Sequence, residues 1–108
     1  MSRARQLSPA LFLGTMLIVG AAGRAQAADA TAMRHEIWRD CLSRNFRIQA
    51  VLTERDLAAD AAFLACRGSE EAYLTALAGS PLLDETDIAR ARPLVAGRFR
   101  AWLVGRSG

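Results

Sequence analysis

Between Ala30 and Leu52 the chain carries no Pro or Gly, and apolar residues recur at helical spacing: Met33, Ile37, Cys41, Ile48 and Leu52. Trp38, Leu42 and Phe46 widen that stripe, while Arg34, Glu36, Arg39, Asp40, Arg44 and Arg47 fill much of the other side. This period predicts one amphipathic helix over 31–52, with Asp29 or Thr31 as its N-cap. Thr53-Glu54-Arg55-Asp56 then reads as a fresh start, because a threonine hydroxyl accepts from amides of the next turn and acids favour a helix N-terminus. A second helix is expected over 54–78. Its apolar face is low in relief, with Leu57, Ala61 and Leu64 beside Ala58, Ala62, Ala65 and Cys66.

Gly68 interrupts this run, but the apolar phase continues to Tyr73, Leu74 and Leu77. A glycine inside a helix costs only ~1 kcal/mol, so a continuous or slightly kinked helix is the expectation. Gly79-Ser80-Pro81 ends it. A third helix is expected over 85–104, capped by Asp84 or Thr86, with Val95, Phe99, Trp102 and Leu103 as its stripe. Pro93 falls inside that helix and should kink it or divide it in two.

The residues before this pattern are of another kind. Arg3 and Arg5 precede an uncharged, largely apolar run from Leu7 to Gly23, and small residues follow at Ala25-Gln26-Ala27 and Ala28-Asp29-Ala30. Positive, apolar and A-x-A in that order is a secretory signal peptide over residues 1–27. Cleavage is expected after Ala27, with Ala30 as the alternative; retention as an anchor is the competing reading, weakened by Pro9, Gly14, Gly20 and Gly23 within the run. The remainder, 28–108, is one small helical domain in the periplasm or outside the cell. Removing 1–27 takes away three arginines and no acid, so the formal charge falls from +3 to zero. Global charge therefore gives no support for a nucleic-acid partner.

Export changes the meaning of the two cysteines. Cys41 lies twelve residues before Thr53 and Cys66 thirteen after it, so in an antiparallel hairpin rising about 1.5 Å per residue they are level. Facing Cα atoms of packed helices approach to roughly 3.4–5.4 Å, which overlaps the roughly 4.4–6.8 Å a disulfide accepts. The expected fold is thus all-α: an antiparallel helical hairpin stapled by Cys41–Cys66, with a proline-kinked third helix laid across it.

No motif names a reaction. His35, Glu36, Asp40 and Cys41 could make a metal or redox site, but they lack the paired spacings of a zinc site, and a bridged thiol is no nucleophile. No metal, cofactor or catalytic residue is expected. After Asp87 there is no acid, while Arg90, Arg92, Arg98, Arg100 and Arg106 follow. Arg98, Arg100 and Arg106 are the candidate interaction surface, for an acidic partner or an anionic membrane surface; the ordinary alternative is the solvated side of a helix. The favoured reading is a non-enzymatic interaction or accessory protein with a protein partner, its oligomeric state unassigned. The His35–Cys41 segment and the arginine-rich membrane binder are the alternatives. N-terminal sequencing of exported protein should begin at Ala28; a chain that retains residues 2–27 refutes cleavage there.

Overall fold

The computed structural model describes the backbone of residues 2–105 and the side chains of residues 26–105. The export segment expected over 1–27 therefore lies largely outside the described side chains, and Arg106 lies outside the described residues. The fold is all-α, with four helices: α1 (Ser2–Leu52), α2 (Arg55–Ala65), α3 (Arg67–Ala78) and α4 (Glu85–Gly105). Among the described residues no helix is long and apolar enough to cross a membrane.

α1 does not begin at residue 31. It runs through Asp29 and Thr31, and the Thr31 hydroxyl donates to the Ala27 carbonyl one turn back at 3.1 Å instead of capping an end. Nothing from Ala25 to Leu52 is Gly or Pro, and alanine favours propagation. α1 ends at Leu52, but the N-cap of α2 is Glu54 rather than Thr53, without a side-chain cap bond. The helix expected over 54–78 is two helices. Cys66, with φ −100° and ψ 18°, ends α2 and opens α3, so the break falls at the bridged residue and Gly68 sits inside α3. At α4 the Asp84 and Asp87 carboxylates each accept from the other's backbone N–H at 2.9 and 3.0 Å. That reciprocal cap sets the helix start. Pro93 lies within the single helix α4, so the two-piece alternative does not form.

The core corrects the stripe read from the sequence. Trp38, Leu42 and Phe46 of α1 are buried, while Met33, Ile37, Ile48 and Leu52 are exposed to between 40 and 76%. Residues 33–52 carry two apolar stripes, and the one with two aromatic rings removes more area from water when it turns inward. α2 repeats the inversion: Ala58, Ala59 and Ala62 are fully buried, and the larger Leu57 and Leu64 face solvent. Phe99 and Leu103 of α4 and Tyr73 of α3 complete the core, with Val95 and Trp102 packed at its edge. Trp38 is central, its ring 4.9 Å from Phe99, 5.7 Å from Tyr73 and 6.2 Å from Phe63. Its indole N–H finds no acceptor among the described residues, so apolar burial and ring contacts hold it.

The Cys41–Cys66 disulfide is present, with the two Cα atoms 5.9 Å apart. Asn45, one turn after Cys41, donates its amide to the Cys41 carbonyl at 2.9 Å and approaches the Cys66 sulfur at 3.4 Å. Closing a loop of this length contributes about 3.5 kcal/mol on the chain-entropy account. The reduced protein, or a Cys41→Ser/Cys66→Ser variant, should lose about 3 kcal/mol in urea unfolding. A midpoint that does not move on reduction contradicts that role.

Candidate functional site

The side chains nearest to a site are gathered by α1, α3 and the linker into α4. Thr31 tethers two of these elements: its hydroxyl lies 3.4 Å from the Ala76 carbonyl of α3 as well as bonding within α1. The small residues Ala32 and Ala76 leave space at this crossing. The result is a cleft of about 850 Å³, lined by Ala32 and His35 of α1, Tyr73 and Leu77 of α3, and Leu82 and Leu83 of the linker. Its walls are largely apolar, with Thr31, His35, Glu36 and Ser80 as polar points. A concave apolar site with few polar groups is the usual form of a small-ligand or peptide pocket.

His35 is partly buried. Its side chain is 38% exposed, and its ring lies 4.9 Å from Phe99 and 5.4 Å from Tyr73. The Glu36 carboxylate is 3.8 Å from Nδ1, a long contact between exposed groups. Tyr73 is 8% exposed, and burial pushes its phenol above the ordinary value of 10.0. His35 therefore joins an aromatic wall continuous with the core, through Tyr73 and Phe99 to Trp38.

The His35–Cys41 segment is not brought together as a site. His35 points to the aromatic wall, whereas Cys41 is bonded to Cys66. Among the described residues no three His, Cys, Asp or Glu side chains gather where they could hold a metal ion.

The arginine-rich end is distributed in a different way from the one its sequence suggests. Arg100 pairs with the Asp60 carboxylate and donates to the Asp56 carbonyl, joining α4 to α2. Arg92 donates to Glu70 at 2.9 Å, joining α4 to α3. Arg98 is exposed. Two of the five arginines after Asp87 are thus engaged between helices. A smaller hollow of about 450 Å³ beside Asp60, Arg67, Glu70 and Arg100 is framed by these pairs. Arg55, which the sequence marks only as part of a helix start, sends Nε to the Val104 carbonyl at 2.8 Å and Nη2 to the Leu103 carbonyl at 3.2 Å. It satisfies the open end of α4.

Comparison with protein-family models, with curated proteins and with solved structures finds no match.

The raised Tyr73 phenol sets a sign for alkaline pH. The folded state holds the proton more tightly than the unfolded chain, so its contribution is complete below the unfolded value near 10.0 and is lost as pH rises through the higher folded value. Urea-unfolding stability should therefore fall as pH passes 10, and Tyr73→Phe should flatten that fall. An unchanged slope in Tyr73→Phe rejects the assignment.

Proposed function

We propose that this chain is a small exported, non-enzymatic binding protein that takes an apolar ligand in the cleft between α1, α3 and the linker. One observation carries the reading: Tyr73, Leu77, Leu82 and Leu83 line a concave space that the fold leaves open, although a small domain has little apolar surface to spare. The polar points at Thr31, His35, Glu36 and Ser80 would orient a ligand. Export is supported by the order of charges and apolar residues over 1–27 and by the use of both cysteines in a bridge. Cleavage after Ala27 would remove one wall residue, Ala27 itself, and leave Thr31, Ala32 and His35 in place.

The neutral fluorophore N-phenyl-1-naphthylamine is a direct probe. The protein should bind it saturably, with one site per chain. Ala32 is exposed at the cleft wall, so Ala32→Arg should weaken binding about tenfold or more by placing a charge in the apolar space. Ile48→Glu, on the opposite side of α1, should not. Absence of saturable binding, or equal binding by Ala32→Arg, overturns the reading.

A further inference from the structure

The outward face of α1 carries a second seam, independent of the cleft. Positions 33, 37, 40, 44, 47 and 51 alternate spacings of four and three, the heptad spacing of a coiled-coil contact line. At ~100° per residue, Met33, Ile37, Asp40, Arg44 and Val51 fall within about 60° of arc, and the core residue Leu42 lies opposite them. Met33 is 59% exposed, Ile37 40% and Val51 84%, with Ile48 at 62% flanking the line. Asp40 and Arg44 are both exposed in the middle of it, and neither has an ion-pair partner among the described residues.

The positions on this line are symmetric about position 42. Met33 and Val51 are equidistant from position 42, and so are Asp40 and Arg44. An antiparallel copy of α1 related by a two-fold axis at Leu42 therefore sets Met33 against Val51 of the second copy at both ends. At the centre it sets Asp40 against Arg44, twice. Ile37 meets the stem of Arg47, whose guanidinium is held 3.2 Å from Ser43 Oγ, leaving its methylenes to cover apolar surface. A parallel pairing would instead oppose Asp40 to Asp40 and Arg44 to Arg44. We infer that the outward face of α1 is an isologous contact at which two copies of this chain pair antiparallel about Leu42.

The seam from Met33 to Val51 is about 27 Å long and a helix about 10 Å wide, smaller than the roughly 800 Å² per partner of a standard interface. The dimer is accordingly one that exchanges with monomer.

Sedimentation equilibrium of the oxidised protein tests this. Self-association to a dimer is expected below about 1 mM. Asp40→Arg and Arg44→Asp each turn two attractions into two repulsions and should each weaken it about tenfold or more. An equimolar mixture of those two variants should restore association as a heterodimer, and the double reversal D40R/R44D should restore it as a homodimer. Both sites are exposed, so far-UV circular dichroism should be unchanged in all variants. A protein that stays monomeric to about 1 mM, or single reversals that associate as well as the parent, overturns the inference. Ala32→Arg should leave association intact, which separates this contact from ligand capture in the cleft.

Discussion

The close approach of α1 and α2 is the constraint on which the rest of the fold depends. The bridge holds Cys41 and Cys66 with Cα atoms 5.9 Å apart, and two helices come so near only where the side chains between them are small. Ala58, Ala59 and Ala62 meet that need and are fully buried. Their smallness has a consequence: α2 cannot by itself cover Trp38 and Phe46. Other elements must do so, and Tyr73 and Phe99 are recruited from α3 and α4 to surround the indole. The core is thus asymmetric, with large side chains from α1 and α4 set against alanine from α2, the large-and-small alternation that fills space at high density.

The same constraint decides what the arginines do. α4 is separated in sequence from the hairpin it packs on, and three arginine contacts fasten it. Arg55 reaches the last carbonyls of α4, Arg100 reaches Asp60, and Arg92 reaches Glu70. Exposed ion pairs are worth about 0–1 kcal/mol each, so they orient α4 more than they stabilise it. Arg55 differs, because it satisfies carbonyls that a helix end otherwise leaves open and also lies over the Phe46 ring. An arginine-rich C-terminal segment is therefore in part a fastening, and its nominal excess of charge overstates what it presents to solvent.

What was legible in the sequence was what depends on distance along a helix. The bridge followed from nearly equal counts, twelve and thirteen, on either side of Thr53, since height in a helix is linear in residue number. The helical class and the end of α1 at Leu52 followed from period and punctuation. The face of α1 that turns inward did not, because a period states that a stripe exists and is silent about which of two stripes wins. Met33–Ile37–Ile48 and Trp38–Leu42–Phe46 both satisfy it, and the decision rests on area buried against elements distant in sequence. The break at Cys66 was hidden for a related reason: Gly68 is the local signal, but the residue that leaves helical geometry is the one tied to α1. The cleft had no local signal at all, being assembled from Ala32, Tyr73 and Leu83 on three separate elements.

The two stripes on α1 then pose a problem of supply. So small a chain has too few elements to surround one helix, and here α2, α3 and α4 all pack on the Trp38 side. Whatever apolar residues lie opposite must meet solvent or another molecule. Scattered exposed leucines need no explanation, and Leu94 is of that kind. Met33, Ile37, Ile48 and Val51 are different because they share one side of one helix, with the acid Asp40 and the bases Arg44 and Arg47 between the apolar ends. A solvated face would be expected to carry its charges throughout, as the flank with Glu36 and Arg39 does. Apolar ends around a charged centre of both signs are the arrangement that complements its own reverse, and this gives the outward face of α1 a physical reason to stay uncovered within the monomer.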